Sequence, residues 1–149
     1  MRVAQLVRQG NEPSCFQIKE MEKPSPKAGE VLIKVKAFGL NYADVMARKG
    51  LYREAPPLPS VLGYDVVGII DSVGEGVDAT KIGKSVVAVT EFGGYAEFAV
   101  ANQLATAEVP ADMGRVQVLV PVGMLALVFL HLAGRDHGDL LLVVLEQVA

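Results

Sequence analysis

Side chains able to polarise a carbonyl by hydrogen bonding gather in one stretch of this chain: Asn41 and Tyr42 together, then Tyr52, then Tyr64 beside Asp65. Each has a plainer reading. Asn41 follows an apolar alternating run and precedes residues 42–48, with Asp44 three positions on. That is the pattern of a helix N-cap with a capping box, and Asp44 then stands one turn from Arg48 as an ion-pair partner. Tyr64 and Tyr95 lie inside strand patterns, where a tyrosine usually packs its ring and satisfies its hydroxyl. Tyr52 precedes Pro56, Pro57 and Pro59 in a loop, where an aromatic is better placed to touch a ligand. His131, on an apolar run, and His137, in a polar turn, are weak acid–base candidates without partners in sequence. Cys15 has no basic neighbour and reads as a buried bystander.

One motif is a decoy. Gly74-Glu75-Gly76-Val77-Asp78-Ala79 fits the G-x-G-x-x-A dinucleotide pattern letter by letter. A phosphate loop needs a helix N-terminus behind it, and only residues 80–82 separate this segment from Gly83 and the next strand pattern. Glu75 and Asp78 would also repel a pyrophosphate, so the segment reads as a turn between strands.

The elements that must position these groups are short strands. Val31, Ile33, Val35 and Ala37 share one face of an alternating run, with Lys34 and Lys36 on the other. Residues 64–73, 85–90 and 95–100 are further strand patterns, with turn signals at Asp78, Gly83-Lys84, Gly93-Gly94 and Asn102. Strands of this length and spacing, with little helical periodicity, predict a mainly β, barrel-like domain. A net charge of −3 and a pI near 5.4 provide no field to gather phosphates, which argues against nucleic acid as a partner. A single cysteine excludes an internal disulfide and a four-thiolate zinc site, and points to the cytoplasm. The run after Arg2 is too short and too polar for the apolar core of a signal peptide.

Composition changes near Asp112. Residues 116–133 are uncharged and mostly apolar, but Pro121 and Gly123 leave only 124–133 uninterrupted, shorter than the roughly 20 residues a bilayer needs. A membrane-associated protein is thus the least favoured of the readings. The expectation is a buried helix over 124–133, a turn, and a buried strand over 140–145, the opening of a β-α-β pattern.

The runs Phe38-Gly39-Leu40-Asn41-Tyr42-Ala43-Asp44, Gly63-Tyr64-Asp65-Val66-Val67-Gly68 and Gly93-Gly94-Tyr95-Ala96-Glu97 resemble the catalytic domain of the zinc-independent quinone oxidoreductases. These form a branch of the medium-chain dehydrogenase/reductase superfamily. The resemblance implies a chaperonin-10-like (GroES-like) barrel over residues 1–115. Residues 116–149 would be a bridging helix and the first strand of a nucleotide-binding domain otherwise absent from the chain. It also implies NADPH as hydride source and a quinone or unsaturated carbonyl as substrate, with Asn41 and Tyr52 catalytic, Asn41 touching the cofactor, and Tyr42 and Tyr64 binding substrate. Zinc-dependent relatives have a cysteine ligand at the place of Asn41 and a His-Glu pair at that of Tyr64-Asp65, so no metal is expected here. The family's glycine-rich phosphate loop would follow residue 143, where this sequence has Val144-Leu145-Glu146-Gln147-Val148-Ala149. The chain alone is therefore expected to bind NADPH poorly and to be inactive. The alternative is a non-catalytic ligand-binding or interaction module on the same barrel. Exposed apolar surface near the C-terminus predicts homo-oligomers or looser self-association, with 140–145 as an edge strand.

Overall fold

The structure, a computed structural model, describes residues 1–109 and the backbone of residues 126–129. Val3, Ala4 and Leu6 anchor β1 (Arg2–Leu6) in the core, and a turn of 3-10 helix at Pro13–Cys15 returns the chain as β2 (Phe16–Glu20). The pair is antiparallel, Leu6 opposite Phe16, and β4 (Ser60–Val61) adds to the other edge of β1. A second sheet runs β7 (Phe98–Asn102), β3 (Glu30–Asn41), β5 (Asp65–Val73), β6 (Ser85–Val89), β8 (Thr106–Glu108), all antiparallel.

Residues 95–97 join the two sheets. The Ala4 N–H donates to the Tyr95 carbonyl at 2.9 Å, the Glu97 N–H to the Arg2 carbonyl at 3.1 Å, and the Val35 N–H to the Glu97 carbonyl at 2.9 Å. The Glu97 carboxylate clasps Arg2 through its backbone N–H and its guanidinium, at 2.7–2.9 Å. The mainly β, barrel-like expectation holds. Its core is built by Val31, Ile33, Val35, Val66, Ile70 and the fully buried Tyr95. Each such side chain contributes about 1.5–3 kcal/mol through burial.

Ala37 does not share the face of Val31, Ile33 and Val35. The register of β3 against β5 steps between Val35 (opposite Gly68) and Ala37 (opposite Val67), which leaves Lys36 as the extra residue of a bulge. Alternation therefore reverses: Ala37 packs with Val67 on the outer face, and Phe38 enters the main core with Val35. A second step, between Leu32 and Ile33, makes Asp71 the extra residue on β5, and its carboxylate takes Lys23 at 2.7 Å.

The decoy motif is a turn, as expected. The Gly74 N–H donates to the Glu30 carbonyl, and a Cβ at Gly74 would collide with the Lys27 carbonyl, so backbone packing accounts for that glycine. The one short helical turn behind it, Ala79–Lys81, is capped by Asp78. The expected helix over 124–133 is not formed at its described residues. Ala126–Phe129 are a strand, β9, paired antiparallel to the end of β3, Gly39 opposite Phe129 and Asn41 opposite Ala126. Pairing of β3 with β5 stops at Phe38, which leaves that edge open, and an apolar run that includes Val128 and Phe129 suits it. His131, His137 and residues 140–145 lie outside the described residues. Among those described, no helix is long and apolar enough to cross a membrane.

Candidate functional site

Asn41 ends β3 and caps α1 (Tyr42–Arg48), as its sequence context predicts. Its backbone N–H donates to Asp44 Oδ2 at 2.9 Å, the tighter half of a capping box. The other Asp44 oxygen accepts from the Gly63 N–H at 3.1 Å. Gly63 has φ +101°, a conformation that side chains disfavour, and its carbonyl accepts from the Thr90 hydroxyl at 2.8 Å. Asp44 is thus tied to the loop before β5 and not to Arg48, whose guanidinium donates to the Asn11 carbonyl at 2.6 Å. The expected Asp44–Arg48 pair is replaced because Gly63 and Asn41 bring two N–H donors to a carboxylate only 4% exposed.

The Asn41 side chain reaches across to β5, where its Nδ2 donates to Asp65 Oδ1 at 2.5 Å. Asp65 is 2% exposed, and its second oxygen has no partner among the described residues. Space for this carboxylate comes from Gly39, where any Cβ would overlap it. Burial pushes the Asp44 carboxyl up to about 6, against its three hydrogen-bond donors and with a smaller push from Asp65. Burial likewise raises Asp65, opposed by the Asn41 amide.

Tyr64 precedes Asp65 and joins an aromatic group. Its ring meets Tyr52 edge-on at 6.1 Å between centroids and Phe92 at 5.2 Å. Burial raises its phenol, and the neighbouring Tyr52 hydroxyl and the Asp44 carboxylate raise it further. Tyr95 is packed in the core against Phe38, centroids 5.0 Å apart, with its hydroxyl beside Asp44. The Tyr64 hydroxyl faces that of Tyr52 and the Tyr95 hydroxyl faces the Asp44 carboxylate, although neither contact is a well-aligned hydrogen bond among the described residues. Asn41, Tyr52 and Tyr64 are therefore linked through Asp65 and the ring contacts. Tyr42, 57% exposed on the first turn of α1, makes no ring contact with them. Sequence reasoning overlooked Asp65 and Gly39 as parts of this arrangement. A glycine inside a strand, two residues before the candidate amide, was the available signal.

Residues 27–111 match the alcohol dehydrogenase GroES-like domain family. The chain is 45% identical over 91 residues to a quinone oxidoreductase of Rattus norvegicus, covering 60% of this chain and 28% of that protein. It is 41% identical over 104 residues to a synaptic vesicle membrane protein VAT-1 homolog of Danio rerio, covering 70% of this chain and 21% of that one. Among solved structures, the human synaptic vesicle membrane protein VAT-1 homolog-like protein aligns with TM-score 0.76 at 30% identity, over 80% of this chain and 38% of that chain. The Escherichia coli quinone oxidoreductase complexed with NADPH aligns with TM-score 0.70 at 31% identity, over 77% and 35%. The chain thus spans well under half the length of these relatives.

Proposed function

The chain belongs to the alcohol dehydrogenase GroES-like domain family, and from that premise we propose that it forms the substrate-side wall of an NADPH-dependent reductase of quinones or other conjugated carbonyls. The observation that carries this reading is Asn41, whose side-chain amide donates to the buried Asp65 carboxylate while its backbone N–H donates to the buried Asp44 carboxylate, with the Tyr52–Tyr64 pair attached to the same site. Residues 1–115 are the substrate domain in this reading, and 116–149 begin the nucleotide-binding part of a cytoplasmic enzyme. The nicotinamide, when bound, supplies the hydride.

A half-buried neutral amide and a cluster of rings suit a flat, uncharged nicotinamide or quinone. Asn41 and Tyr52 hold and polarise the carbonyl by donating hydrogen bonds, while Tyr64 walls the site and Tyr42 borders its entrance. The pyrophosphate has no comparable cradle among the described residues, since Gly74 and Gly76 belong to a surface turn. Zinc does not suit this donor set. The Asn41 amide is engaged by Asp65, and the lone Cys15 is buried among core residues. Carbonyl activation in this reading is zinc-independent. A non-catalytic ligand-binding module is the second reading, favoured by the ring cluster of Tyr52, Tyr64 and Phe92 standing without a phosphate cradle among the described residues.

The test is a fluorescence titration of the purified chain with NADPH, followed by addition of a quinone, with Asn41→Ala and Tyr52→Ala as controls. Saturable binding at micromolar levels, weakened about tenfold or more in both variants, supports the reductase reading, since that loss equals about one charge-free hydrogen bond. Quinone binding without any NADPH binding supports the ligand-binding module.

A further inference from the structure

We infer that Asp65 is a positioning residue that locks the Asn41 amide so that it offers a hydrogen-bond donor, never an acceptor, to a ligand. This rests on the proposed reading of Asn41 as a carbonyl-binding group. The amide has one oxygen acceptor and two N–H donors. One Nδ2–H is taken by Asp65 Oδ1 at 2.5 Å, and the oxygen is turned to the Asp44 backbone N–H in the capping box. The second Nδ2–H has no partner among the described residues, and the side chain is only half-buried.

Rotating the amide by half a turn would set its oxygen against the Asp65 carboxylate, lone pair against lone pair, and would lose the capping contact. The carboxylate therefore fixes the orientation chemically. The fold keeps this carboxylate in place at some expense. Asp65 is 2% exposed with one oxygen unpartnered, and Gly39 is required beside it because a Cβ would occupy the same space. Burying a carboxylate with one oxygen unsatisfied is unfavourable unless the other oxygen holds something that matters. Here it holds the end of Asn41. The ligand class that follows is a neutral acceptor, a quinone or enone oxygen, and alcohols or amines that must donate are disfavoured.

The test uses the side-chain amide protons of Asn41, assigned by nuclear magnetic resonance through their loss in Asn41→Ala. The probe is duroquinone, whose ring positions are fully substituted so that thiols do not add to it. In the parent chain the two amide protons are widely separated, one of them far downfield, and duroquinone moves the other. Asp65→Asn keeps the shape and a weaker neutral acceptor. It is expected to stay folded, bring the two protons closer together and weaken duroquinone binding about tenfold, the loss of charge assistance on one hydrogen bond. Asp65→Glu restores part of the separation. An unchanged Asn41 amide pair in folded Asp65→Asn overturns the positioning role. A shifted pair with no duroquinone response in the parent chain upholds the positioning and instead overturns the quinone reading.

Discussion

At the scale of single residues, two carboxylates dominate the chemistry of this chain. Unfolded, Asp44 gives up its proton near 3.8, and folded it keeps it up to about 6, because it is buried. Between those values the folded state binds the extra proton, so this group's contribution to stability is full at acid pH and is lost as pH rises through 6. Asp65 is shifted the same way. Glu97 is shifted downward by Arg2 despite some burial, so its contribution is lost only toward more acid pH and does not offset the loss above pH 4.5. The melting temperature is therefore expected to fall between pH 4.5 and 7.5, by a stability loss of about 2 kcal/mol from Asp44. Asp44→Asn should remove most of that pH dependence. A melting temperature flat or rising over this window in the parent chain would contradict it.

At the scale of elements, the bulge at Lys36 decides which residues of β3 face inward. Strict alternation through residue 37 puts Ala37 in the core and Phe38 outside, whereas one extra residue in the register reverses both. Deleting Lys36 should restore an unbroken ladder and expel Phe38 from its contact with Tyr95. The expected cost is about 3 kcal/mol or more, comparable to removing a core phenylalanine, read as a lower urea midpoint. This element also marks how far the sequence could be read. The strands, the N-cap at Asn41 and the turn over 74–79 were legible because the signals for each lie within a few residues of one another, although what requires glycine at Gly74 is the distant Lys27 carbonyl. The bulge, the Asp44–Gly63 tie and the Asn41–Asp65 bond were not, because each is set by a partner on another strand or loop. The strand at Ala126–Phe129 was missed for a related reason. An uninterrupted apolar run is compatible with helix or strand, and the open edge at the end of β3 decides between them.

At the scale of the whole molecule, apolar side chains stand exposed among the described residues. Leu104 is 91% exposed and shares a shallow groove with Val89, beside the edge strand β8. Self-association at micromolar concentration is the expected outcome of a sedimentation experiment, weakened by Leu104→Ser. A monomer at every concentration would contradict it. The stitch between Arg2 and Glu97 has a temporal consequence as well. Synthesis delivers β1 first, and the backbone that completes its pairing arrives only with residues 95–97. No early fragment can close the ring, so folding must await nearly the whole barrel. Contacts this distant in sequence place the closing step in the millisecond-to-second range typical of β topologies.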